Sequence, residues 1–108
     1  MKTADLKIAL VTAPELETAR QLGKLVLEAK LAACVNLVPG IESHYWWQGK
    51  IDSGSEILML IKTTEAKISQ LEKLILKSHP YDTAEFVVIS ASEVTEKYLK
   101  WMLDSVKG

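Results

Sequence analysis

The residues best suited to chemistry lie in the second half of this 108-residue chain, where His79-Pro80-Tyr81-Asp82 is followed by Glu85. Imidazole nitrogen and carboxylate oxygen are ligands that suit a borderline divalent cation. The spacing alone is not a metal signature, because His79 would need a third ligand from elsewhere in the chain. A loop histidine held by hydrogen bonds accounts for the same residues equally well, and the local sequence leaves both interpretations open.

Two charged residues, Glu56 and Lys62, flank the apolar run Ile57–Ile61 in the middle of the chain. A strand that is apolar on both faces is usually covered on both faces. The two charged side chains are therefore expected either to lie in a cleft at an interface or to solvate the ends of this strand.

The single cysteine, Cys34, has apolar neighbours and is interpreted as a small buried hydrophobe. The sequence contains no C-x-x-C pair, no Gly-rich phosphate loop and neither an H-E-x-x-H nor a G-x-S-x-G motif. No nucleophile and base are paired by spacing, so we do not expect an enzyme.

Charge and hydropathy exclude several classes of function. Thirteen basic residues against fourteen acidic ones leave a net charge of −1, which offers no electrostatic footprint for a nucleic acid or an anionic membrane. Apolar runs such as Ile57–Ile61 are far shorter than a membrane span, and the first residues lack the apolar core of a signal peptide. We therefore expect a single domain over residues 1–108, no nucleic-acid or membrane partner, and a cytoplasmic location.

Hydrophobic periodicity predicts the element order β-α-β-β-α-β-α. The short strands are expected at Leu6–Val11 and Phe86–Ile89, and the helices at Leu16–Lys30, around Ile68, Leu71 and Ile75 before Pro80, and at Thr95–Val106. A capping box of Thr12 and Glu15 is expected to begin the first helix, and Thr63 or Thr64 to cap the second. Gly23 inside the first helix suggests a close-packing position, because it costs roughly 1 kcal/mol relative to Ala.

Between the first two helices the pattern predicts a long hairpin, with strands over Ala32–Trp47 and up to Lys62 on either side of a turn at Gln48-Gly49. A straight first strand would span about 53 Å, whereas a domain of this length has a diameter of about 35 Å. A bulge or bend is expected at Pro39-Gly40. The hairpin must therefore either bend sharply or project onto a neighbour.

Alternation along the hairpin sends Tyr45 and Trp47 to one face and Trp46 to the other. Each aromatic side chain can bury roughly 150–250 Å², yet few partners from the same chain remain near a hairpin tip. We therefore expect contact between copies of the chain. A curled hairpin with one partly exposed Trp is the alternative.

Short motifs are dispersed from Thr12 nearly to the end of the chain. They are Thr12-Ala13-Pro14, Ala33-Cys34-Val35-Asn36, Pro39, Ile41, Ser43, Tyr45, Trp47, Gly49, Ile51, Glu56, Lys62-Thr63, His79-Pro80-Tyr81, Glu85 and Tyr98-Leu99-x-Trp101. Together they resemble the CutA divalent-cation tolerance family. The resemblance implies an α+β, ferredoxin-like βαββαβ sandwich with a long β2–β3 hairpin and a C-terminal helix, assembled as a homotrimer through hairpin strand pairing.

The resemblance also implies a role in divalent-cation tolerance and the response to metal ions, with Cu(II) or another divalent cation as cofactor and His79 and Glu85 as ligands. Val11 and Ser78 stand where some members proposed to bind copper carry cysteine and histidine. Of that ligand set only Glu85 keeps its position, with His79 one residue away.

A second hypothesis is a trimeric small-molecule sensor with a ligand cleft between subunits. It rests on analogy with other trimeric signalling proteins that have a ferredoxin-like core. The residues that could supply aromatic walls and convergent polar groups are Tyr45, Trp47, Glu56, Lys62, Tyr81 and Trp101. A third hypothesis is a structural interaction scaffold.

Overall fold

A computed structural model describes residues 5–107, which form one four-stranded antiparallel sheet and three α-helices. In chain order the elements are β1 (Leu6–Ala13), α1 (Leu16–Glu28), β2 (Cys34–Trp47), β3 (Lys50–Thr64), α2 (Ile68–Ser78), β4 (Val87–Ser90) and α3 (Glu96–Ser105). The strand order in the sheet is β2-β3-β1-β4. This is the predicted α+β element order; residues 1–4 and 108 of the predicted domain lie outside the described residues.

The main core lies between one face of the sheet and helices α1 and α2. Because strand side chains alternate between faces, every second residue of β1 and β3 points toward the helices. The buried residues are Ala9, Val11 and Ala13 of β1, Ile57, Met59 and Ile61 of β3, Ala19, Leu22 and Val26 of α1, and Leu71 and Ile75 of α2. Cys34 is only partly buried at the start of β2, so the expectation of a buried thiol is wrong.

Helix α3 covers part of the opposite face of the sheet. Alternation places Lys62 on that face, and its Nζ lies 3.5 Å from the Tyr98 hydroxyl and 5.6 Å from the centroid of the Tyr98 ring. Leu99 and Met102 of α3 are buried, whereas Trp101 is 48% exposed.

Both predicted helix caps are wrong. Thr12 lies in β1 opposite Leu58, so its backbone belongs to the sheet, and α1 begins after Glu15 without a side-chain cap. Thr63 lies in β3, and its hydroxyl donates a hydrogen bond to the carbonyl oxygen of Leu31 at 2.7 Å. Thr64 precedes a 3₁₀ turn at Glu65–Lys67 but makes no side-chain capping bond, and α2 begins after Lys67.

The hairpin projects from the body of the protein, whose principal extents are 45 × 25 × 22 Å. The expected bulge at Pro39-Gly40 is confirmed, since the β2–β3 register shifts between Val38 and Ile41 and Gly40 has a φ of 73°. At the tip, Trp46 pairs with Ile51 across the ladder, and Trp46 is 73% exposed. No helix among residues 5–107 is long and apolar enough to cross a membrane.

Candidate functional site

Polar side chains from β3 and from the loop after α2 meet at the base of the hairpin. Pro80 disfavours helical geometry at the residue before it, and His79 is accordingly extended, which ends α2. The chain then turns toward β3, where the Tyr81 hydroxyl donates a hydrogen bond to Glu56 Oε2 at 3.1 Å. A loop residue is thus joined to the residue that precedes the buried part of β3.

Glu56 and Tyr45 act electrostatically on Tyr81, and Glu56 also acts on Glu85. These four residues are referred to below as the carboxylate–tyrosine cluster. Burial, the hydrogen bond to Glu56 and the charges of Glu56 and Tyr45 raise the pKa of Tyr81 to about 12. Burial, followed by the negative charge of Glu56, raises the pKa of Glu85 above its ordinary value. A cation bound beside these carboxylates would relieve their mutual repulsion.

His79 is buried beside the cluster, and both of its ring nitrogens are engaged. Nε2 donates to the carbonyl oxygen of Thr12 at 2.7 Å, and Nδ1 accepts the backbone N–H of Tyr81 at 3.0 Å. A carbonyl oxygen can only accept, so Nε2 carries the proton, and the ring is the neutral tautomer whose Nδ1 lone pair accepts the Tyr81 N–H. The rings of His79 and Tyr81 also pack against each other, with centroids 4.8 Å apart.

The donors of a single chain do not fit the Cu(II) site that the motifs suggest. Among residues 5–107 no three side chains of His, Cys, Asp or Glu are grouped so that they could hold a metal ion. Val11 is fully buried in the core, and the Nε2 and Nδ1 atoms of His79 are already bonded. Cu(II) favours imidazole nitrogen, whereas the cluster offers carboxylate and phenol oxygens.

The six residues proposed as a cleft are separated within one chain. Tyr45, Glu56 and Tyr81 belong to the cluster, while Trp47 lies at the hairpin tip. Lys62 and Trp101 lie instead around Tyr98, whose ring centroid is 5.4 Å from that of Trp101. Sequence reasoning missed Tyr98 as their common partner, although its helical spacing of three residues from Trp101 was a signal.

The comparison with known families decides the identity. Residues 7–105 match the model of the CutA1 divalent ion tolerance protein family. The chain belongs to this family. It is 39% identical over 107 residues to the chloroplastic protein CutA of Arabidopsis thaliana, an alignment that covers 99% of this chain and 59% of the relative. It is 38% identical over 99 residues to the divalent-cation tolerance protein CutA of Thermus thermophilus, covering 92% of this chain and 96% of the relative.

Solved CutA structures share the fold over almost the whole chain. CutA from Synechococcus elongatus superposes with a TM-score of 0.94 at 36% identity, covering 99% of this chain and 95% of that one. CutA1 from Oryza sativa superposes with a TM-score of 0.93 at 38% identity, covering 97% and 96%. The family and the ferredoxin-like fold that the motifs predicted are therefore confirmed. The chain spans only 59% and 56% of the length of two plant relatives.

Proposed function

We propose that this CutA family member is a divalent-cation-binding protein that works as a homotrimer and catalyses no reaction. The observation that carries the proposal is the meeting of Glu56 with the loop after α2, where its Oε2 accepts from the Tyr81 hydroxyl at 3.1 Å and its charge raises the pKa of Glu85. A bound divalent cation stabilises both carboxylates in their charged form. Cation binding is therefore coupled to the protonation of Glu85.

The cation expected at this site is one that prefers oxygen ligands. Mg²⁺ is commonly held by one or two carboxylates and keeps several of its waters, and Mn²⁺ also suits carboxylate and water ligands. Since Glu56 and Glu85 are the two carboxylates at this site among residues 5–107, the site is expected to bind weakly and to prefer Mg²⁺ or Mn²⁺ to Cu(II).

Calorimetric titration of metal-stripped protein with MgCl₂, MnCl₂ and CuCl₂ tests this proposal. Glu85→Gln and Glu56→Gln are expected to lower the affinity for Mn²⁺ at least about tenfold. Glu72→Gln changes an exposed carboxylate on α2 and serves as the matched control. Absence of saturable binding in the wild type, or equal affinity in all variants, would contradict the proposal.

The homotrimer is supported by the two edges of the sheet. Among the described residues β2 and β4 are the edge strands, and β4 exposes three apolar side chains, those of Val87, Val88 and Ile89. An exposed apolar edge strand is a template for pairing with another chain. A head-to-tail contact between the β2 edge of one copy and the β4 edge of the next uses two different surfaces, and such contacts form a ring when the rotation between copies closes.

A second candidate function, a small-molecule sensor, is favoured by the convergence of Tyr45, Tyr81 and Glu56. Aromatic walls with a few polar groups are typical of ligand sites. Lys62 and Trp101 would join such a cleft only if a neighbouring subunit brought them there. A thermal-shift screen of metabolites and nucleotides tests this candidate, and a transition that never moves would count against it. The cytoplasmic location stays a prediction, resting on the single unpaired Cys34.

A further inference from the structure

We infer that His79 is a positioning residue that holds Tyr81 against Glu56, and that it is not a ligand of the cation. The inference rests on the proposed function in so far as Tyr81 and Glu56 belong to the cation site. It reverses the role that the sequence suggests for the only histidine in the second half of the chain.

The first support is that the ring joins two segments that are distant in sequence. Thr12, 67 residues before His79, lies near the end of β1, and its carbonyl oxygen accepts a hydrogen bond from Nε2 at 2.7 Å. Tyr81, two residues after His79, donates its backbone N–H to Nδ1 at 3.0 Å. The imidazole therefore ties the loop after α2 to the edge of the core.

The second support is that coordination would break one of these two bonds. A metal at Nδ1 would take the lone pair that accepts the Tyr81 N–H, and a metal at Nε2 would displace the proton that Nε2 donates to the Thr12 carbonyl. Either way a backbone group beside a ring that is only 8% exposed loses its partner. A buried polar group without a partner is unfavourable, so the ring is held in its present role.

The third support is the path from His79 to the cluster. Tyr81 donates its backbone N–H to His79, and the same residue donates its hydroxyl to Glu56 at 3.1 Å. The ring of His79 also packs on that side chain, with an angle of 55° between the ring planes. His79 thus holds both the backbone and the ring of Tyr81, which places the Tyr81 hydroxyl within hydrogen-bond distance of Glu56.

Two substitutions separate the two bonds of His79. The oxygen of an Asn side chain can accept the N–H two residues on, so His79→Asn keeps the bond to Tyr81 and loses the bond to Thr12. The longer His79→Gln places an N–H near the position of Nε2, so it keeps a donor toward Thr12 and loses the acceptor for Tyr81. Both variants are expected to have a lower Tm than the wild type.

The positioning role predicts that the two variants differ at the cluster. His79→Gln is expected to bind Mn²⁺ at least about tenfold more weakly than the wild type, while His79→Asn stays within about threefold. The Tyr81 ¹³Cζ resonance, which reports the state of its hydroxyl, should move in His79→Gln toward its position in Glu56→Gln and stay in place in His79→Asn. Equal effects of the two variants on this resonance would overturn the inference, and this readout holds even if no cation binds.

A Cu(II) titration followed by NMR of the ring ¹⁵N signals tests ligation directly. The chain has two histidines, and the second, His44, is exposed on the hairpin beside Glu42 and acts as an internal control. The His44 signals are expected to broaden first, while His79 keeps the pattern of a protonated Nε2. Broadening of His79 at Cu(II) concentrations that leave His44 sharp would show that His79 is a ligand and overturn the inference.

Discussion

At the scale of single residues, the side chains at the base of the hairpin are held by different partners. Tyr81 donates hydrogen bonds from its hydroxyl to Glu56 and from its backbone N–H to His79. The pKa of Glu85 is instead raised by burial and by the like charge of Glu56. Both effects oppose ionisation of the Glu85 carboxyl group. The charged form of Glu85 is therefore unfavourable to the stability of the folded protein.

The raised pKa of Glu85 predicts how stability depends on pH. When the pKa of a carboxyl group is higher in the folded state, its contribution is fully present below the ordinary value and is lost as pH rises through the folded value. Glu85→Gln should therefore raise the Tm at pH 7 relative to the wild type, and the difference should vanish near pH 4. Thermal unfolding at both pH values, with Glu72→Gln as control, measures this. A Glu85→Gln variant that is less stable at pH 7 would contradict the prediction.

At the scale of elements, helix α1 ends in two hydrogen bonds typical of a Schellman motif. The N–H of Leu31 donates to the carbonyl of Val26 at 3.0 Å, and that of Lys30 donates to the carbonyl of Leu27 at 3.1 Å. Lys30 has a φ of 61°, in the left-handed region that favours glycine. The hydrogen bonds of the Schellman motif are therefore formed, although Lys30 has a strained backbone conformation.

Lys30→Gly is expected to stabilise the protein by about 0.5–1 kcal/mol, because glycine adopts this conformation without strain. Lys24→Gly, in the interior of the same helix, is expected to destabilise it by about 1 kcal/mol and is the matched control. Chemical denaturation of both variants gives the free energies of unfolding. A lower free energy in Lys30→Gly would show that the left-handed residue is not strained.

Gly23 in α1 can be tested in the same way. A Cβ added at Gly23 would lie 3.5 Å from Val35 Cγ1, an ordinary van der Waals distance. The close packing expected at this position therefore leaves room for a methyl group. Gly23→Ala should raise the free energy of unfolding by about 0.5–1 kcal/mol because alanine loses less backbone entropy in a helix. If denaturant titration shows a lower free energy of unfolding for Gly23→Ala, the methyl group clashes with Val35.

At the scale of the whole molecule, the single chain leaves much apolar surface uncovered. The face of the sheet opposite α1 and α2 carries Ile8, Leu10, Leu58 and Leu60, all only partly buried. The projecting hairpin adds Trp46 and other aromatic residues in solvent. Such a surface is typical of a protein that associates with further copies.

The proposed homotrimer predicts that Ile89→Lys weakens assembly, because a charge on the edge strand blocks pairing. Ile89 is 46% exposed, and Leu25→Lys, at a position on α1 that is 42% exposed, is the matched control. Sedimentation at micromolar concentration should show trimers for the wild type and the control and smaller species for Ile89→Lys. The Tm of the wild type should also rise with protein concentration. A wild-type protein that sediments as a monomer would contradict the assembly.

The amino-acid sequence by itself determined the order of the elements, the bulge and the family. Alternation in β1 and β3, the end of α2 before Pro80 and the bulge at Pro39-Gly40 all follow from local periodicity and backbone sterics. The dispersed motifs were specific because they extend along nearly the whole chain. These features depend on residues close in sequence, or on type and spacing alone.

Only the tertiary structure decided which partner each polar side chain has. Thr12 and Thr63 resemble helix caps locally, but the β1–β3 ladder that contains them joins residues about half a chain apart. His79 resembles a ligand until the fold brings Thr12 to its Nε2, and Glu56 meets Tyr81 across 25 residues. The hydrogen-bond partner of a side chain depends on which distant segments approach each other, and periodicity carries no information about that approach.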